Sequence, residues 1–455
     1  MLARFSLAQL RDTISADSLT VGKDSDILEV RGVATDTRTL QPGEIFVALR
    51  GENFDGHEFV QQAADKGAIA IIANEIGSLA AENIPQFRVE DTLLAYQKLG
   101  RTWRDRFNLP VIGITGSVGK TTTKELIAAV LSTRGKVLKT EKNYNNEIGV
   151  PKTLLQLSPE HDYAVIEMAM RARGEIALLT EIARPTVRVI TNVGTAHIGR
   201  LGSREAIAQA KCELLATLPE ESIAILNADN ALLMATAQTV WHGETVTYGL
   251  EAGDVRGTLL DGQTLVVEGM QFPLPLPGRH NASNYLAALT AAKVLGIDWT
   301  PLTQGLTVEL PGGRSRRFSI GDNIEVLDET YNAGLESTVA ALHLLKETPG
   351  ERHIAVLGTM KELGEQSSHL HFLVGETAKA LKIDRLFVVV DDPETEAIAA
   401  GSEGIPTDCF TDREKLLQRL QEEARSGDRI LFKASNSVGL SRVVEQFAQA
   451  IGNRR

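Results

Sequence analysis

The chain has 455 residues and a formal net charge of −12 at pH 7, length enough for about three domains that each bury a core. The acidic balance, without a strongly basic stretch, argues against nucleic acid as a partner, so anionic ligands must be held by local loops. No apolar run approaches the ~20 residues of a membrane span, the N-terminal stretch is interrupted by Arg4, Arg11, Asp12 and Asp17, and Cys212 and Cys409 lie far apart without metal-ligand spacing; a cytoplasmic protein with no membrane span, disulfide framework or zinc site is expected.

In chain order, residues 1–88 carry short strand patterns at 44–49 and 68–73 and a helical stretch near 59–66, the marks of a small α/β unit. Residues 89–311 open on VIGITGSVGKTTTKE at 111–125, an apolar strand that breaks at Gly116-Ser117-Val118-Gly119-Lys120-Thr121-Thr122 and continues as a helix. Glycines there let backbone N–H groups close around phosphate oxygens, the helix start adds partial positive charge, Lys120 reaches the β/γ-phosphates and Thr121 offers a hydroxyl to Mg²⁺. ATP or GTP is the expected ligand. The general phosphate-loop spacing would put glycine where Ile114 stands, so the match is to the shorter Thr-Gly-x-x-Gly-Lys-Thr form.

Alternating strands and helices follow at 163–167, 174–183, 187–192, 203–218 and 222–227, which predicts a mostly parallel sheet covered by helices. Strand ends then deliver Glu167 and the run Thr191 to His197 to the edge that holds the phosphate loop. Glu167 suits Mg²⁺ as an oxygen ligand; His197 could complete the shell, although a loop histidine is as readily a structural one. Ser203 reads as the cap of a helix that carries Lys211 in its middle, where a lysine ordinarily sits in water. After Pro311-Gly312-Gly313 a second alternating series, from 324–328 to 429–433, predicts a separate doubly wound domain over 312–455. The fold expected is α/β in three domains: a small N-terminal α/β domain (1–88), a central P-loop ATPase-like domain with a mostly parallel sheet (89–311) and a C-terminal Rossmann-like domain (312–455).

Taken together, the motifs resemble those of the Mur ligases of peptidoglycan synthesis across nearly the whole chain. The likeness rests on Ala34-Thr35-Asp36-Thr37-Arg38, Asn53-Phe54-Asp55-Gly56-His57, Thr115 to Glu125, Asn143 to Pro151, Thr191 to His197, Ala210-Lys211, Asn227-Ala228-Asp229, Gly278 to Asn284, Asp328 to Ala333, Val356-Leu357-Gly358, Glu362-Leu363-Gly364 and Lys433. Ser117-Val118, Thr123-Lys124-Glu125 and the Asn145 to Pro151 run favour the dipeptide-adding member. That resemblance implies an ATP-dependent amide ligase, a monomer, that joins D-alanyl-D-alanine to UDP-N-acetylmuramoyl-tripeptide through an acyl phosphate. It implies Lys120, Glu167, His197 and a carbamylated Lys211 as catalytic residues, with Thr121, Glu167, His197 and Lys211 around Mg²⁺. Asn281 and Asn284 would hold the adenine, with Arg314, Asp328 and Tyr331 closing on the nucleotide from the third domain. Thr37, Arg38, Asp55, Gly56, His57, Asn145 and Asn146 would bind the UDP-linked substrate, Arg38 through its bidentate guanidinium.

The chain departs from the family pattern at Ala169, where glycine is common, at Glu329 to Leu335, at Thr359, where an acidic residue is common, and at Lys433-Ala434-Ser435-Asn436, which lacks an arginine. A sister ligase adding another residue, a folate polyglutamate synthetase and an inactive nucleotide-binding regulator are the competing readings; a plain P-loop kinase has no support from the third domain.

Overall fold

A computed structural model describes residues 5–19, 29–51, 53–75, 84–216, 221–321 and 323–452. Three principal sheets divide the chain. Near the N-terminus, five strands lie in the order Asp17–Leu19, Gln86–Arg88, Ala70–Ala73, Glu44–Val47, Gly32–Ala34, parallel except for the first pair. Glu44–Val47 and Ala70–Ala73 are buried along their whole length, as strands covered on both faces must be. The expected helix near 59–66 is a 3₁₀ turn, Gly56–Phe59, leading into the helix Val60–Asp65.

Nine strands form the central sheet, in the order Met270–Pro273, Thr264–Val267, Val255–Leu260, Thr245–Gly249, Ile223–Asn227, Val187–Ile190, Val111–Thr115, Tyr163–Glu167, Val137–Lys139. Seven are parallel, as the alternating pattern predicts; the edge 255–273 turns back on itself as an antiparallel meander. Its two-residue turn, Glu268-Gly269, has φ of +51° and +82°, the left-handed pair that matches the twist of a hairpin. Helix Arg204–Ala216 begins as expected at a cap, with Ser203 Oγ accepting from Ala206 N at 3.1 Å; Leu218, its expected end, lies outside the described residues. Six strands make the third sheet: Arg316–Ile320, Ile324–Asp328, Asp428–Lys433, Arg352–Gly358, Arg385–Val389, Thr407–Phe410, parallel but for the first pair.

One buried apolar cluster runs through all three parts, from Leu10 and Ile45 through Ile166 and Leu214 to Leu342 and Leu357. Continuous burial of this kind seats the third sheet against the central one and brings its loops to the phosphate-loop edge. Among the described residues no helix is long and apolar enough to cross a membrane.

Candidate active site

The central site is built at the carboxyl ends of three adjacent parallel strands, with Ile190 level with Thr115 and Glu167 with Ile114. Between strand Val111–Thr115 and helix Lys120–Leu131 the loop is held from below by the neighbouring loop. Ser117 N donates to Asn192 O and Val118 N to Asn192 Oδ1, both at 3.0 Å, while Ser117 Oγ accepts from Gly194 N at 2.9 Å and Val118 O from Thr191 Oγ1 at 2.7 Å. A side chain at Gly116 would stand 1.9 Å from Thr191 Oγ1, and one at Gly119, where φ is +82°, 2.6 Å from Asn284 Oδ1. Both glycines are therefore required by close approach. The first-turn N–H groups of Lys120, Thr121 and Thr122 are those a helix leaves without intrahelical acceptors, and they face an anion by default.

Lys120 folds back on this loop, donating to Gly116 O at 2.7 Å. Desolvation lowers its pKa and Arg314 adds to the effect, against the opposing charge of Glu167. Glu167 is buried; one carboxylate oxygen accepts from Asn145 Nδ2 at 2.7 Å and the other has no partner. Its backbone N–H donates to Thr140 Oγ1 at 3.0 Å, and Thr140 O accepts from the fully buried Lys124 at 2.7 Å, so a second layer fixes the carboxylate.

Lys211 is not the solvated helical lysine that position alone suggests: it is 1% exposed, and burial, then Lys120, hold its pKa well below the usual value. Burial thus disfavours the ammonium form of this side chain. His197 has φ of +66° and shares a 2.5 Å hydrogen bond from Nδ1 with Glu362 Oε2; burial, then Lys120, lower its pKa although Glu362 opposes them.

From helix Arg279–Val294, Asn284 Oδ1 accepts from Thr123 Oγ1 at 3.2 Å, and Asn281 Nδ2 donates to Pro277 O at 2.8 Å. From the third sheet, the Arg314 guanidinium stacks 3.6 Å from the centroid of the Tyr331 ring, with Nε buried and unpartnered. Asp328 is buried and accepts from Thr330 N and Oγ1 at 3.1 and 2.6 Å. Glu336 accepts from Thr195 N and Oγ1 at 2.7 and 3.0 Å, which ties the third part to the loop that carries His197.

The N-terminal candidates form two separate, self-paired groups. Thr37 is buried and donates to Gln62 Oε1 at 2.6 Å, whereas Arg38, its side chain 87% exposed, is paired with Asp36 through Nε and Nη2 at 2.9 and 2.7 Å. Asp55 Oδ1 accepts from His57 N at 3.0 Å and meets His57 Nδ1 at 2.6 Å; Oδ2 accepts from Arg50 Nε at 2.8 Å. Since His57 Nε2 accepts from Asn74 N at 3.4 Å, the ring proton sits on Nδ1 and donates to Asp55. Gly56 is needed because a side chain there would meet Leu49 O at 2.7 Å.

Family descriptions match along the chain: "Mur ligase family, catalytic domain" at 29–104, "Mur ligase middle domain" at 114–292 and "Mur ligase, glutamate ligase domain" at 313–436. A UDP-N-acetylmuramoyl-tripeptide--D-alanyl-D-alanine ligase from Synechocystis sp. is 58% identical over 446 residues, 98% of each chain. The chain belongs to the Mur ligase family. The ligase of the same name from Bacillus subtilis is 37% identical over 92% of this chain and 94% of its own. Among solved structures, MurF from Acinetobacter baumannii superposes with a TM-score of 0.89 at 30% identity, covering 98% of this chain and 99% of its own, and MurF from Thermotoga maritima in complex with ADP with 0.83 at 32%, covering 93% and 98%.

Within this Mur ligase the departures from the family pattern are accommodated by local bonding. Ala169 N donates to Asn145 O at 2.9 Å, beside Glu167. Thr359 is buried and bonds Thr395 Oγ1 at 2.6 Å; Glu329 accepts from Ser315 N at 3.0 Å, with burial raising its pKa; Asn436 is exposed at the start of a 3₁₀ turn, 436–438. Asn146 Oδ1 accepts from Gly149 N at 2.9 Å, in the turn that leads into the helix Gly149–Leu154. Residues without a role in the sequence reading also belong to the site: Thr140, Asn192, Glu336 and Glu362. Only Asn192 lay in a segment placed at the sheet edge; the others act across 27, 141 and 165 positions of chain, and no spacing rule links them to it.

Proposed function

We infer that the protein is an ATP-dependent ligase that joins D-alanyl-D-alanine to UDP-N-acetylmuramoyl-tripeptide in peptidoglycan precursor synthesis. The observation that carries this reading is the burial of the Lys211 amine, whose pKa burial and then Lys120 hold well below the usual value, in a chain alike over nearly its full length to ligases of that reaction. Such an amine adds CO₂ and releases a proton, becoming a carbamate with hard oxygen donors, which a kinase built on the same loop does not need. The residues fit Mg²⁺: Glu167 has a buried carboxylate oxygen with no protein partner, and Thr121, His197 and a carbamylated Lys211 would supply the remaining side-chain donors. When bound, Mg²⁺ neutralises charge on the phosphate oxygens.

The terminal carboxylate of the tripeptide attacks the γ-phosphorus of ATP, ADP leaves, and an acyl phosphate forms. The amine of D-alanyl-D-alanine attacks its carbonyl carbon, losing a proton and expelling phosphate as the amide forms. Positioning and charge stabilisation are the protein's part. Lys120 exchanges the Gly116 carbonyl for a phosphate oxygen, the first-turn N–H groups hold the β-phosphate, and Asn281, Asn284, Arg314 and Tyr331 enclose the base. Arg38 and the Asp55–His57 turn, with Asn145 and Asn146, take the UDP-linked substrate. Contacts of Glu336 and Glu362 with the 193–200 loop close the third part over the nucleotide and keep water from the acyl phosphate. The protein acts as a monomer in the cytoplasm.

Purified protein is assayed for ATP-dependent phosphate release with both substrates and with each omitted, and products are weighed by mass spectrometry. Release that requires both, with a product heavier by the dipeptide less water, is expected. Tight ATP binding with no release under any of these conditions would overturn the reading in favour of a sister ligase or a regulator.

A further inference from the structure

Two residues other than glycine hold left-handed backbone conformations face to face at the boundary between the central and third sheets: His197 at φ +66° and Glu362 at φ +64°. Such conformations cost free energy and persist where surrounding contacts over-determine them. Here the contacts come from the opposite side in each case. Glu362 Oε2 meets His197 Nδ1 at 2.5 Å, Oε1 accepts from Arg200 Nε at 3.1 Å, and Glu362 O accepts from Gly199 N at 3.0 Å. The two backbones touch so closely that a side chain on Gly199 would stand 2.5 Å from Gly364 N, and one on Gly364 2.8 Å from Gly199 Cα. Glu336, on Thr195 of the same loop, makes a second crossing that does not touch His197.

An incidental surface ion pair needs none of this. It would not require a carboxylate to bond a ring nitrogen, a guanidinium and, through its own carbonyl, the intervening backbone. A carboxylate on one imidazole nitrogen fixes the ring plane and leaves the other nitrogen for a ligand. We propose that Glu362 is a positioning residue for His197: the third part of the chain, on docking, sets the histidine's orientation through this carboxylate, so that the site is complete only when the parts are closed. The proposal rests on the ligase reading above.

Glu362→Gln is expected to lower kcat about 10- to 100-fold, the usual cost of losing the partner that orients a ligand, with KM for ATP little changed. Glu362→Asp, one methylene short, should behave likewise and serves if the first variant does not fold; Glu365→Gln on the neighbouring exposed position should match the wild type. The deciding comparison is made in a His197→Asn background. If Glu362 acts through His197, adding Glu362→Gln there costs little more, whereas losses that multiply would overturn the proposal. Small-angle scattering of the full chain with ADP gives a readout independent of turnover: less compaction by Glu362→Gln than by wild type is expected, and equal compaction would overturn the coupling to closure. A wild-type chain that compacts with ADP but forms no product would instead count against the ligase reading.

Discussion

The phosphate-loop edge and the N-terminal loops around Arg38 and His57 use the same kinds of side chain and hold them in opposite ways. At the loop edge, apart from Lys120 on Gly116 O, the groups are fixed by something distant in sequence: Val118 by Asn192, 74 positions on, Ser117 by Gly194, 77 positions on, and Thr123 by Asn284, 161 positions on. In the N-terminal part Arg38 is held by Asp36 and His57 by Asp55, each two positions away. Long-range fixing produces geometry that exists before the ligand arrives, which is what stabilises a transition state. Local pairing instead satisfies each polar group within its own loop, in the proposed reading until the UDP-linked substrate replaces the partner. Substitutions at the first site should therefore fall on kcat, and at the second on KM.

The largest effect belongs to the loop lysine. Lys120→Ala should lower kcat by about 10²- to 10³-fold, as the loss of a preorganised donor does, while the fold stays intact by circular dichroism; near-normal turnover would show that Lys120 is not part of the chemistry. Next comes Lys211. Because its amine is buried, with a pKa held well below the usual value, enzyme equilibrated with ¹³C-bicarbonate should show a carbamate carbon resonance that is absent from Lys211→Met, and that variant should lose activity by at least tenfold, no less than the loss of a group that only supports a metal site costs. A spectrum identical in the two proteins would exclude the modification.

The same contrast explains what could be read in the sequence. The phosphate loop, the strand ends with Glu167 and His197, and the alternating pattern that gave a mostly parallel central sheet are local signals: glycine spacing, apolar runs and caps. The antiparallel edge at 255–273 was harder to see, since its strands are short and only Glu268-Gly269 marks the turn. Burial of Lys211 was legible only through resemblance, because periodicity cannot tell a buried helical lysine from a solvated one when its neighbours are alanine and cysteine. Glu336 had no local signature at all, and Glu362 stood only in a motif shared with the family, Glu362-Leu363-Gly364, that gave it no role. Their roles depend on how the third sheet docks, which arises from the apolar cluster shared by all three parts.

On the substrate side the expected effect is smaller and of a different kind. Arg38→Ala should raise KM for the UDP-linked substrate about tenfold, the worth of one charge-assisted hydrogen bond, with kcat and melting temperature unchanged because the pair with Asp36 is exposed. A fall in kcat at saturating substrate would mean that this loop is also part of the preorganised machinery, and the contrast between the two regions would fail.

The smallest effect is on stability, and acid should separate the two regions by pH. Burial, with Lys433 nearby, pushes the His280 imidazole from 6.5 down to about 4. As pH falls below 6.5 the unfolded chain takes up a proton that the folded chain refuses, so stability declines until about pH 4 and then levels, when both forms are protonated. In the N-terminal part the His57 N–H, with the His57 ring and Arg50, holds the Asp55 carboxyl at about 2 against an ordinary 3.8. There the folded state keeps its charge while the unfolded one is protonated, so that contribution is intact above 3.8 and fades only between 3.8 and 2. Melting temperature measured against pH should thus lose its 6.5-to-4 slope in part in His280→Gln, and its slope below 4 in part in Asp55→Asn. Two variants with the same pH profile as the unaltered protein would show that the acid sensitivity of the fold lies in neither group.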